Sequence, residues 1–114
     1  MLGAIKMNKK GRRGEVWLVE TDNKRRPVLI VDKETMIVEI DRVVATVTSQ
    51  SSRNEYDIVL KYWQEAGLDK PSIVRCSKLN TIHHNELIFK IGKLHDDDLS
   101  NVLGKIRDFF NEDV

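Results

Sequence analysis

Few residues in this 114-residue chain are of types that usually carry chemistry, and most of them do not group. Cys76 is the only cysteine. It cannot close an internal disulfide, and one thiol does not make a zinc site. It lies in Ser72-Ile73-Val74-Arg75-Cys76, a strand-like run with no base nearby, so a buried structural thiol is expected. His83 and His84 are adjacent, and on an extended segment adjacent side chains point to opposite sides, which makes a poor joint site. Both read as turn residues and His95 as a helix-start residue. Asp96-Asp97-Asp98 suits the first turn of a helix, where carboxylates oppose the dipole, better than it suits magnesium. None of these groups shows metal-ligand spacing, so neither a metal nor another cofactor is expected.

Basic residues are more suggestive. Net charge is only +1, but Lys6, Lys9, Lys10, Arg12 and Arg13 form an acid-free stretch and Lys24-Arg25-Arg26 a second cluster, while acids gather late. Such clusters bind phosphates, although solvated surface is their commoner use. Trp17 suits core packing better than base stacking. Tyr62 and Trp63 stand in a polar stretch, open to stacking on a base, a dimer contact or partial burial.

These residues must be held by a β-rich scaffold. Apolar residues make up 40% and charged residues 32%, a globular balance with length for one domain. No apolar run approaches the roughly 20 residues of a membrane span. The N-terminus lacks a secretory apolar core, so a cytoplasmic protein without a membrane partner is expected. Residues 1–12 read as a flexible basic segment and 13–114 as the domain. Strands are expected at Glu15–Val19, Pro27–Val31, Met36–Ile40, Val43–Thr48, Tyr56–Leu60, Ser72–Cys76 and Leu87–Ile91. The unbroken apolar run after Pro27 predicts a strand buried on both faces, with proline tolerated at its start. Leu99, Val102, Leu103, Ile106, Phe109 and Phe110 share one face of a closing helix. A small antiparallel barrel with appended helical structure fits this order.

The order of short motifs adds a resemblance. Arg13-Gly14-Glu15-Val16-Trp17 is followed by Arg26-Pro27-Val28-Leu29-Ile30-Val31, then Val47-Thr48-Ser49-Gln50. Gly67-Leu68-Asp69-Lys70-Pro71-Ser72-Ile73-Val74, Leu79-Asn80-Thr81-Ile82 and Lys90-Ile91-Gly92-Lys93-Leu94 complete the series. From about Arg13 to Phe110 it resembles the MazF/PemK family of toxins. The resemblance implies an SH3-like barrel, a homodimer with an RNA groove across its interface, and metal-independent endoribonuclease activity on single-stranded RNA. It also implies a cognate antitoxin, a separate chain whose disordered tail occupies the same groove.

The family's catalytic pair falls on Arg26 and Thr48. A ribose 2′-OH would attack the adjacent phosphorus and expel the 5′-oxygen, leaving a 2′,3′-cyclic phosphate and a 5′-OH. Charge builds on the phosphoryl oxygens, where a guanidinium offers paired donors and a hydroxyl a third. The alternative for Arg26 is a surface ion pair with Glu15 or Glu20. Lys24, Arg25, Ser49, Gln50, Ser77 and Lys78 are further candidates for RNA contact, and Arg25 could substitute for Arg26.

Three departures from the family stand out. Thr21–Arg25 is short where relatives carry a long Gly-rich loop, Ser77-Lys78 replaces a frequent Glu-Gln, and Asn80 replaces a frequent arginine. Cleavage motif and base preference therefore do not carry over. Two other readings remain. A CcdB-like gyrase poison would share the barrel, but the chain ends Phe109-Phe110-Asn111-Glu112-Asp113-Val114 rather than Trp-Gly-Ile. A non-catalytic SH3-like binding module is the other.

Overall fold

The computed structural model describes residues 10–33 and 41–111. β1 (Glu15–Thr21) turns through Asp22 and Asn23 into β2 (Lys24–Ile30). Both turn residues have positive φ, 50° and 63°. Asp and Asn tolerate that conformation, and a two-residue turn of this kind matches the twist of a hairpin. The ladder therefore starts at Thr21↔Lys24, and β2 begins three residues before Pro27, its expected start. Alternation from that closing pair puts Pro27 and Leu18 in a non-hydrogen-bonded pair. The side of Pro27 that lacks an N–H thus faces away from β1, where β3 (Asp41–Thr48) joins only at Val28.

β4 (Asp57–Val59), β5 (Ile73–His83), β6 (Leu87–Lys93) and α1 (Asp96–Phe110) follow. The order β4-β5-β3-β2-β1-β6 makes one antiparallel six-stranded sheet. It curls as expected for a small barrel but stays open between β4 and β6. β5 runs well past Cys76, its expected end. Its register jumps from Thr46↔Arg75 to Ala45↔Leu79, so Cys76, Ser77 and Lys78 bulge while the strand goes on. The strand expected at Met36–Ile40 lies outside the described residues. Among them, no helix is long and apolar enough to cross a membrane.

The curled sheet is apolar on both faces. Val16, Leu29, Val31, Ala45, Val47, Val74 and Val102 form the larger cluster, and Val19, Val28, Ile30, Val44 and Leu87 the second. The run Val28-Leu29-Ile30-Val31 alternates between the two, as its unbroken hydrophobicity predicts. Trp17 packs on the second cluster and donates to Glu15 Oε1 at 2.9 Å; Trp63 packs on the first.

His95 caps α1, accepting the Asp97 N–H, and its ring stacks on Tyr62 at 3.9 Å. Asp98 is buried and does more than oppose a dipole. Its carboxylate accepts the N–H groups of Lys61 and Tyr62 at 3.0 and 2.8 Å, tying the helix to the β4–β5 connection. The apolar face of α1 is buried only as far as Ile106. Phe109 and Phe110 are exposed because the helix outruns the sheet, and Phe109 rests edge-on against Tyr56.

Arg42 is wholly buried. It holds Asp32 bidentately at 2.8 and 2.6 Å and donates to the carbonyls of Lys10 and Gly11. Residues 10–12 of the expected flexible segment are thus tied to the sheet, while 1–9 lie outside the described residues.

The opening beside β6 is covered by the turn at residues 63–67, which rests on the backbone of Gly92. A Cβ on Gly92 would run into the Ala66 carbonyl. Gly92→Ala is expected to destabilise the fold by about 1–3 kcal/mol, measured by urea denaturation.

Candidate active site

Hydrogen bonding between β2 and β3 covers only Val28↔Thr46, Leu29↔Ala45 and Ile30↔Val44. Beyond Val28 the strands part, and β3 pairs with β5 alone. Extending the lost register by two residues would set Arg26 opposite Thr48. Cross-strand partners share a sheet face, so both belong to one side of the parting. An open cleft of about 530 Å³ lies there. Arg25, Arg26, Thr48 and Ser49 line it from the strand ends, residues 67–70 from the β4–β5 connection, and Leu18 and Phe89 from β1 and β6.

Arg26 is exposed and, among the described residues, makes no ion pair. The two acids that could have engaged it are taken. Glu20 lies 3.9 Å from Arg25. Glu15 meets Lys90 at 3.0 Å and accepts from the Arg12 N–H and the Trp17 indole. Burial pushes the Glu15 carboxyl up, but these donors outweigh it and hold the group below its ordinary value. Thr48 Oγ1 accepts the Gln50 N–H at 3.2 Å, which fixes the oxygen and leaves the hydroxyl proton to donate.

Gln50 serves this turn from behind rather than lining the cleft. Its side-chain oxygen accepts from Arg75 Nη2 at 2.9 Å. Arg75 is buried and donates through Nη1 to Asp57 Oδ2 at 2.8 Å. The same oxygen takes the Arg53 N–H at 2.8 Å. An Asp57–Arg75–Gln50 chain, buried at its first two members and exposed at Gln50, thus anchors the segment that carries Thr48. Arg75 and Asp57 are direct partners across β4 and β5, which is why neither charge is left alone. Sequence reasoning missed both. The available signal was an arginine inside Ile73-Val74-Arg75-Cys76, where a charge must find a partner.

Lys24, Ser77 and Lys78 lie outside the cleft. Lys24 closes the β1–β2 hairpin, and Ser77 and Lys78 occupy the β5 bulge. Asp69, Lys70 and Phe89 line the cleft and were not anticipated. The first two stand in what reads as an ordinary turn, and Phe89 in what reads as a strand.

One expectation about the histidines is overturned. The rings of His83 and His84 do not diverge but stack, 4.9 Å apart and 25° from parallel. His84 opens a 3₁₀ turn, so the strand alternation no longer applies; His83 caps that turn, accepting the Asn85 N–H. Among the described residues no group of three or more His, Cys, Asp or Glu is placed to hold a metal ion. Cys76 is fully buried, with its thiol against the carbonyls of Val74 and Val102.

The family profile of PemK-like, MazF-like toxins of type II toxin–antitoxin systems matches residues 12–110. The chain belongs to this family. A Mycobacterium tuberculosis toxin, MazF-mt6, superposes with a TM-score of 0.68 at 26% identity, over 82% of this chain and 96% of that one. An endoribonuclease from a mycobacterial species reaches 0.75 at 17% identity, over 90% and 91%. MazF in a MazE–MazF structure from Deinococcus radiodurans gives 0.75 at 16%, over 90% and 97%. The mycobacterial fold is also known in complex with a cognate antitoxin, with a TM-score of 0.73 at 17% identity, over 90% and 93%. At 16–17% identity the likeness establishes the shared fold. Comparison with curated protein sequences finds no match.

Two outcomes follow from the buried groups. Arg75→Met strands the Asp57 carboxylate in the interior and should cost about 3–5 kcal/mol in chemical denaturation. Burial pushes the Cys76 thiol up to about 12, so it stays protonated between pH 7 and 9. The native protein should therefore resist iodoacetamide across that range, and at a fixed pH labelling should rise with urea only as the protein unfolds.

Proposed function

We propose that this chain is the toxin of a toxin–antitoxin pair, a metal-independent endoribonuclease acting on single-stranded RNA in the cytoplasm. One observation carries the reading: Arg26 and Thr48, from two strands, face one open cleft, and Arg26 is free of ion pairs among the described residues. A structural arginine would sit against a carboxylate, as Arg42 and Arg75 do.

In the reaction, a ribose 2′-oxygen forms a bond to the neighbouring phosphorus as the bond to the 5′-oxygen breaks. The 2′-proton passes to solvent. The 5′-oxygen leaves with a proton drawn from a donor in the cleft or from water, giving a 2′,3′-cyclic phosphate and a 5′-OH end. A guanidinium keeps its proton near neutral pH, so Arg26 works by charge and by paired donors on the phosphoryl oxygens. Thr48 donates its hydroxyl proton to one of them, held in aim by the bond from Gln50. Both groups sit at strand ends braced by the sheet, so little reorganisation is needed as charge develops. Arg25 adds positive potential at the mouth. A homodimer would extend the cleft into a groove for several nucleotides, and the disordered tail of a cognate antitoxin would block it.

The test uses purified protein and single-stranded RNA in excess EDTA, with both ends of the products mapped. Arg26→Ala and Thr48→Ala should each lower kcat about 100-fold or more, while circular dichroism and gel filtration match the wild type. Full cleavage by Arg26→Ala would remove the mechanism. Gyrase inhibition without RNA cleavage would point to the CcdB-like alternative.

A further inference from the structure

We propose that Phe89 and Asp69 form a nucleobase subsite beside the Arg26–Thr48 pair, with the base stacked on the phenyl ring and its N–H edge donated to the carboxylate. This rests on the nuclease reading of the same cleft and adds a determinant of which nucleotide it accepts.

Phe89 is 62% exposed, although it stands on a strand whose neighbour Leu87 is wholly buried. Among the described residues no other aromatic ring packs against it. Its cross-strand partner is Leu18, and Leu18 is paired on its other side with Pro27. The row Phe89–Leu18–Pro27 therefore crosses three strands on the sheet face that Arg25 shares, and Arg26, the next residue along β2, lines the same cleft. Two strand spacings amount to about 10 Å, within the reach of one nucleotide from its phosphate to its base. An exposed aromatic face that close to a phosphate-binding group is what a splayed base stacks on.

Charge locates the second half. The charged residues lining the cleft are Arg25, Arg26, Lys70 and Asp69. A lone carboxylate among three cations weakens phosphate binding, so its place in an RNA cleft makes sense only opposite a donor. Among the described residues Asp69 makes no ion pair that would occupy it. The loop that carries it touches β6: a Cβ on Gly67 would meet the Ile91 carbonyl oxygen at 2.5 Å. Asp69 is two residues beyond that contact and Phe89 two residues before it, so both can reach one base. Guanine presents two adjacent donors, N1–H and N2–H, matching two carboxylate oxygens. Adenine, cytosine and uracil offer a less complete match, so guanine is the preferred base.

The experiment uses the full chain with 2′-O-methyl oligouridine, which lacks the attacking hydroxyl and is not cut, carrying one G, A, C or abasic position. Affinity is read by fluorescence anisotropy. The wild type should bind the G-containing strand most tightly. Phe89→Ala should weaken that binding about 5- to 150-fold, the range for one base–aromatic stack, and Phe89→Trp should restore it. On the abasic strand, wild type and Phe89→Ala should bind alike, an equality that a merely structural role would not produce. Asp69→Asn should erase the preference for G over A. The subsite is overturned by wild type that binds no strand or binds all bases equally, by Phe89→Ala binding like wild type, or by Asp69→Asn keeping the G preference. It is also overturned if Phe89→Ala alters self-association in gel filtration but not affinity, since the ring would then belong to a contact between copies. Cleavage of the matching ribo-oligomer is scored separately. G-dependent binding without cleavage keeps the subsite and rejects the nuclease, whereas cleavage indifferent to both substitutions does the reverse.

Discussion

Pro27 has no N–H to give β3, and the layout of the cleft follows from that missing donor. The hairpin turn at Asp22-Asn23 sets the β1–β2 register so that the donor-less side of Pro27 faces β3. Pairing between β2 and β3 stops at Val28, one residue short of it. The last residues of β3 then pair only with β5, and the strands separate. A continuous ladder would leave Arg26 and Thr48 as neighbours on a closed sheet. Separation leaves them lining one open cleft.

An opening at the end of a sheet needs bracing, and buried charge supplies it. The Asp57–Arg75–Gln50 chain holds the segment after Thr48, and Asp98 holds the connection after β4 that leads into the far wall of the cleft. Arg42 does the same for the entry to β1, binding Asp32 and the backbone at Lys10 and Gly11. Buried ion pairs add little net stability compared with apolar side chains of similar size. Their directional bonds nonetheless fix where loops sit: the first two anchor segments beside the cleft, and Arg42 anchors the opposite end of β2 and β3.

The same division separates the arginines by role. Arg42 and Arg75 are buried and fully engaged, and Arg25 shares an exposed contact with Glu20. Arg26 alternates with Arg25 along β2 and so takes the other face, away from Glu20. A one-residue slip in the β1–β2 register would exchange the two, so the short turn before β2 bears directly on which guanidinium faces Thr48.

By itself the sequence determined what depends on local pattern. The alternating and unbroken apolar runs mark the strands, the capped amphipathic segment marks the helix, and the motif order marks the family. Arg26 and Thr48 are legible because each sits at a fixed offset from such a pattern, one just before the proline and one at a strand end. Tertiary structure alone decided which side chains meet. Gln50 turns to Arg75, Ser77 and Lys78 leave the cleft on a bulge, the two histidines stack once the strand gives way to a 3₁₀ turn, and Phe89 and Asp69 enter the cleft from segments distant in the chain. The physical reason is register. Each of these contacts depends on how far one strand is shifted against another, or on how a loop folds back across the sheet, and neither is written in the spacing of residues along a single strand.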